Sequence, residues 1–166
     1  TSQLAFELGV ASCNSDVVRK QMAGIPAGKQ ARDAYNQGLY DQQSHEATYA
    51  ELLRRAEQHL IRGSSVIIDA CFTHRDQRSP FAALADRQAV PFVILHVACS
   101  DAENKRRLLD RETTGASVSD GRLELLDYQT TGFEPPEESE GTLITLNGTA
   151  PPTTLADEIY TRLTSC

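Results

Sequence analysis

Asp16, Arg19 and Asp69 are residue types that can move a proton, hold an oxygen-rich substrate and bind a divalent cation, and each follows a short apolar run. Asp16 and Arg19 stand at i and i+3, on one face of a helix. There a carboxylate can accept a hydroxyl proton while a guanidinium holds the substrate. A plainer role is also open to them: an acid matching a helix N-terminus, with Arg19 as its local partner. Asp69 closes the run Ser65-Val66-Ile67-Ile68-Asp69, whose unbroken apolar character marks a strand covered on both faces. An acid at the carboxyl end of such a strand emerges where open α/β sheets place their ligands, well placed to hold Mg²⁺ beside nucleotide phosphates. Its plainer role is to cap the next helix. Both acids follow strands, so a parallel sheet brings them to one crevice, and that convergence favours the chemical reading.

Two arginine clusters follow two successive strand ends. Arg75 and Arg78 lie just beyond Asp69; Arg106, Arg107 and Arg111 lie on a later helix, with Arg107 and Arg111 at i, i+4. Helical arginines are commonly solvated or paired, here with Glu103 or Asp110. Guanidinium groups also match phosphate oxygens bidentately and stabilise charge in phosphoryl transfer.

The elements that must position these groups alternate. Leu4, Ala5 and Leu8 share one face of an opening helix that Gly9 stops. A strand over about 10–14 leads to a helix over about 16–23, and the 24–28 segment breaks the chain. A long helix spans about 35–62, then a strand over about 65–72. The next helix is expected to be capped by Ser79, with Pro80 at its first position. A strand over about 92–99 precedes a helix over about 101–113 that Ser100 and Glu103 cap. A short helix is expected over 120–128, a solvated acidic loop over 134–140 and a last strand over 142–147. Leu155, Ile159 and Leu163 make the final helix amphipathic. Strands alternating with helices predict an α/β fold, a parallel sheet covered on both faces.

The 166 residues suit one domain spanning 1–166, and 40% hydrophobic with 23% charged residues is an ordinary globular balance. No apolar stretch approaches the roughly 18 residues that span a membrane. Four scattered cysteines fit reduced, buried thiols and a cytoplasmic location better than a disulfide framework. A net charge of −7 disfavours binding to long nucleic acids, but not a small anion held by a local arginine cluster. Two patterns mimic other sites. Gly24-Ile25-Pro26-Ala27-Gly28-Lys29-Gln30 has three residues between its glycines where a phosphate loop needs four, and no strand precedes it, so it reads as a turn. Cys71-x-x-His74 and His96-x-x-Cys99 have zinc-like spacing, yet residues i and i+3 on a strand face opposite ways. His45 and His59 have no partner spacing.

Asn14-Ser15-Asp16-Val17-Val18-Arg19-Lys20, Val66-Ile67-Ile68-Asp69-Ala70-Cys71-Phe72 with Arg75 and Arg78, Arg107-Leu108-Leu109-Asp110-Arg111 and Ser119-Asp120 together resemble the small P-loop kinase family. The likeness is strongest to AAA-like ATP-binding kinase domains fused behind aminoglycoside-phosphotransferase-like domains. It is weaker to gluconate, zeta-toxin and polynucleotide kinases. The resemblance implies a three-layer P-loop fold with an acceptor-covering helical segment at about 24–62 and a lid at about 104–122. By position, Asp16 resembles the catalytic base and Arg19 an acceptor-site arginine, with Arg75 and Arg78 as further substrate contacts. Asp69 resembles the magnesium carboxylate; Arg107 and Arg111 resemble lid arginines around the phosphates. The implied activity is ATP- and Mg²⁺-dependent phosphorylation of a hydroxyl on a small molecule. A polynucleotide 5′-hydroxyl kinase and a degenerate nucleotide-binding module without catalysis remain alternatives. The motif G-x-x-x-x-G-K-[ST] and the strand before it do not occur in the 166 residues. Alignment puts the phosphate-binding lysine a few residues before Thr1. Residues upstream, with room for a fused domain, are the preferred expectation over loss of the nucleotide site, and without that central strand the sheet should show unpaired edges.

Overall fold

Parallel strand pairing needs long crossovers, and the helices of this chain supply them. The computed structural model describes residues 1–26, 42–114 and 132–164. Helix α1 (Ser2–Leu8) ends at Gly9, whose φ of 64° is the left-handed conformation glycine adopts without strain. Strand β1 (Ala11–Asn14) pairs in parallel with β2 (Val66–Asp69), and between them run α2 (Ser15–Met22) and α3 (Gln42–Ile61). Helix α4 (Arg75–Gln88) leads to β3 (Val93–Ala98), which pairs in parallel with β4 (Thr142–Asn147) across α5 (Asp101–Thr114). Helix α6 (Pro152–Thr164) closes the described chain.

Two apolar clusters sandwich the strands. Cys13, Val18, Leu52, Ala56, Phe81 and Leu84 form one, with Val66 and Ile68 of β2 against it. Leu4, Ile144, Leu146, Ala156 and Ile159 form the other, with Ile67, Val93 and Leu95 against it. Ile67 thus faces one cluster and its neighbours the other, which makes the fold a three-layer α/β arrangement with parallel strands. Among the described residues the strands form two separate two-stranded ribbons, so β2 and β3 each keep an unpaired edge. Their apolar residues Val66–Ile68 and Val93–Leu95 are only half-buried, whereas Ile144 and Leu146 of β4 are closed off from solvent. That exposure fits strands with one edge unpaired among the described residues.

Several expectations change in detail. Helix α4 starts at Arg75 with His74 as its cap, not at Pro80. Gln77 Oε1 accepts the His74 N–H at 3.1 Å, satisfying the helix start, and Pro80 sits inside the helix. Pro80 has no N–H to give the Asp76 carbonyl, and the Ser79 hydroxyl donates to that oxygen instead, at 3.4 Å. Cys71 is exposed rather than buried, because the chain has left β2 by that point. The expected helix over 120–128, most of the acceptor-covering segment before Gln42 and the second half of the lid lie outside the described residues.

The acidic 134–140 stretch is mostly exposed, as expected, but it ends in a short 3₁₀ turn, Glu138–Glu140, whose Glu140 side chain is buried. Arg78, expected as a substrate contact, is buried and binds this stretch as a structural clamp. Its Nε and Nη2 donate to the two carboxylate oxygens of Glu140 at 2.7 and 2.9 Å, and Nη1 donates to the carbonyls of Phe72 and Glu134 at 2.8 and 2.9 Å. Side-chain exposure is 5% for Arg78 and 6% for Glu140, so neither has water to fall back on. Removing one partner strands the other charge. Arg78→Ala should therefore cost about 3–5 kcal/mol of stability, read from denaturant unfolding of the full chain. The Arg78 guanidinium holds the Glu140 carboxyl below its ordinary range. The stability this contributes is present above the unfolded value of about 4.3 and lost as pH falls below it, so acid sensitivity in that window should be weaker in Glu140→Gln.

Candidate active site

The ends of β1 and β2 are in register, with Asn14 opposite Asp69. Asn14 is also the N-cap of α2, and its Oδ1 accepts the N–H groups of Asp16 and Val17 at 3.0 and 3.1 Å. Its Nδ2 donates to Asp69 Oδ2 at 2.9 Å. One side chain thus fixes the start of the helix carrying Asp16 and the carboxylate that ends the neighbouring strand. Asp16 and Asp69 lie at the same end of the parallel ribbon, both half-buried. Arg19 Nη1 donates to Asp16 Oδ1 at 2.7 Å, with side-chain exposures of 9% and 18%. The pair is shielded enough to hold its geometry.

Asp69 Oδ1 has no hydrogen-bond partner among the described residues, so the carboxylate keeps one oxygen available for a cation. That geometry fits a magnesium ligand, a hard oxygen donor at a strand end.

Helix α3 covers the loop after Asp69. Tyr49 Oη accepts the Phe72 N–H at 3.1 Å, and burial pushes the Tyr49 phenol up to about 12. Phe72 has φ of 46°, a left-handed conformation costly for a bulky residue. It is held by edge-to-face contacts with Tyr49 and Phe81 at centroid separations of 5.4 and 5.2 Å. His45, one turn before Tyr49, lies 4.6 Å from its ring. His45 Nε2 meets Gln77 Nε2 at 3.0 Å, joining α3 to the start of α4. Burial, then the charge of Arg19, holds His45 below its ordinary imidazole value.

The remaining arginines divide. Arg75 is exposed; its backbone N–H donates to Glu134 Oε2 at 2.7 Å, and its guanidinium lies 3.9 Å from Glu137. Arg106 and Arg107 both donate to Glu103, at 2.7 Å, and Arg107 stays 37% exposed. The two bonds from Arg106 and Arg107 pull Glu103 down to about 2. The backbone of Arg111 continues α5, and its side chain lies outside the described residues. The structure therefore brings together Asp16, Arg19 and Asp69, with Arg75 at the loop rim. It commits Arg78 to Glu140 and shows Arg107 on Glu103. Sequence reasoning missed His45, Tyr49 and Gln77. Only Tyr49 carried a sequence signal, as one of the apolar residues on the buried face of α3.

The sequence profile of the AAA domain family AAA_33 matches residues 1–136. No curated protein matches the chain. Among solved structures, a candidate kinase from Chloroflexus aurantiacus j-10-fl is 21% identical with a TM-score of 0.70, over 99% of this chain and 87% of that one. A sugar kinase from Janibacter sp. HTCC2649 is 20% identical with a TM-score of 0.64, over 96% and 83%. A gluconokinase from Sinorhizobium meliloti 1021 is 19% identical with a TM-score of 0.57, over 95% and 78%. At those identities the likeness is one of fold, and it agrees with paired carboxylates at the ends of parallel strands. With the profile covering most of its length, the chain belongs to the AAA domain family AAA_33 and has a P-loop kinase-like fold.

Proposed function

We propose that this chain is the acceptor and metal-binding body of an ATP-dependent kinase that phosphorylates a hydroxyl on a small molecule. The observation that carries the reading is the Asn14 bridge, which sets Asp16 and Asp69 at one sheet end through bonds of 3.0 and 2.9 Å. Asp16 would take the acceptor proton as the hydroxyl oxygen bonds to the γ-phosphorus and the bond to the bridging oxygen breaks, releasing ADP. Arg19 orients Asp16 and would meet the acceptor's oxygens. Asp69 would hold Mg²⁺, which when bound draws charge from the phosphate oxygens. Arg107, and Arg111 by its place one turn further along α5, would neutralise the phosphates. Catalysis of this kind rests on positioning and electrostatics, and fixed half-buried side chains suit it.

Asp16→Asn in the full-length protein tests the assignment, using labelled ATP and a panel of sugars and sugar acids as acceptors. Loss of a general base should lower kcat by about 10²–10⁴-fold with nucleotide affinity kept. Wild-type turnover by the variant would remove Asp16 from the chemistry.

Arg107 gives a second check. Its solvent-screened pair with Glu103 contributes little to stability, so Arg107→Ala should leave the unfolding midpoint nearly unchanged while depressing kcat. Parallel loss of stability and turnover would instead mark a structural residue.

A further inference from the structure

The orientation of the Gln77 amide is fixed by its surroundings. Its Oε1 accepts the His74 N–H at 3.1 Å and the Thr73 hydroxyl at 3.3 Å, and flipping the amide would set donor against donor. Gln77 Nε2 must therefore donate to His45 Nε2, 3.0 Å away. A ring nitrogen that accepts carries no proton, so the imidazole proton sits on Nδ1. We propose that His45 is a positioning residue: a neutral imidazole protonated on Nδ1, which latches the first turn of α3, through Gln77, onto the loop that presents Asp69. The functional meaning of that loop rests on the kinase reading above; the latch itself does not.

The charges around the ring support the neutral form. The charge of Arg19 on α2 opposes protonation, after burial itself, and so does that of His74 at the start of α4. Glu46 on its own helix and Asp76 on α4 favour protonation, but Glu46 is shared with Gln42 Nε2 at 3.0 Å. Glu134 lies 3.7 Å from His74 Nδ1. Tyr49, beneath the ring, stays neutral at physiological pH, its phenol raised to about 12. A proton on Nε2 would point at the Gln77 amide hydrogens and add a positive charge that the Arg19 charge opposes. The latch then opens. Because the folded midpoint lies below the unfolded value of about 6.5, the latch is intact above that pH and is lost as pH falls through the folded midpoint.

The coupling runs through neighbours already described. His45 stacks on Tyr49, Tyr49 accepts the Phe72 N–H, and Phe72 stands three residues beyond Asp69. Releasing the first turn of α3 should therefore reach the Phe72 amide.

Long-range ¹H–¹⁵N spectra of the full-length protein labelled at its histidines test this, with His45 identified by the signal missing in His45→Gln. The expected result is a protonated Nδ1 and an unprotonated Nε2 at pH 7.5, titrating below 6.5, with the Phe72 amide shifting at the same midpoint. A solvated imidazole favours the opposite tautomer, so this pattern is not a default. Gln77→Glu should raise the midpoint by about one unit, a tenfold change in proton affinity. Gln77→Leu should return the ring to the solvent tautomer. A wild-type proton on Nε2, a midpoint at or above 6.5, or a Phe72 amide that does not follow the titration would each overturn the proposal. The wild-type spectra decide it even where a Gln77 variant fails to fold. If Asp16→Asn left turnover intact, the kinase reading would fall while this result stood.

Discussion

Asn14 faces Asp69 across a parallel ladder, and its side chain both donates and accepts there, with Nδ2 on Asp69 and Oδ1 on the N–H groups of Asp16 and Val17. Few residue types can do both. An aspartate would cap α2 equally well but would set its charge against Asp69, and a serine would be too short to reach across the ladder. The amide therefore ties the two acids into one rigid unit that neither strand pairing nor helix capping would make alone. A one-residue slip between β1 and β2 would break that unit and turn Ile67 toward the wrong cluster, so core and site specify the same register.

The loop after Asp69 depends on that unit and adds constraints of its own. Phe72 at φ 46° represents strain of about 1–3 kcal/mol, the kind that persists only when surroundings over-determine it. Two edge-to-face ring contacts, at about 0.5–1.5 kcal/mol each, offset it together with the bonds from Phe72 N–H to Tyr49 and from Arg78 to the Phe72 carbonyl. The same loop is held from three directions: α3 through Tyr49, α4 through Arg78, and the acidic segment through Glu134. A carboxylate followed by so constrained a backbone has little freedom to reorient, which suits the magnesium role proposed for Asp69.

Much of this was legible in the sequence because it is local or periodic. The unbroken apolar run before Asp69 marked β2, and the i, i+3 spacing of Asp16 and Arg19 anticipated their bond. What stayed hidden depends on partners far along the chain. Arg78 looked like a free guanidinium because Glu140, its partner, is 62 residues away. Within the otherwise exposed acidic stretch, the burial of Glu140 was hidden for the same reason. Ser79-Pro80 imitated a helix start, since the real cap uses the Gln77 side chain, a weaker signal than serine before proline. His45 had no metal-like spacing because its partner is an amide on another helix.

Burial sorts the arginines into those that hold the fold and those free to act. Arg78, with 5% of its side chain exposed and four bonds of 2.7 to 2.9 Å, cannot leave Glu140 without stranding a buried charge. Arg107 makes a bond of similar length, 2.7 Å, yet at 37% exposure solvent screens most of its worth, and water can replace Glu103 at little cost. Arg19 lies between these cases: buried like Arg78, but paired with an acid one turn earlier on its own helix, so the two move as a unit. Equal bond lengths thus conceal unequal freedom. The proposed phosphoryl transfer would use both kinds, a fixed pair to aim the acceptor and a releasable guanidinium to meet charge as it develops. Chemically identical side chains at different depths supply the two.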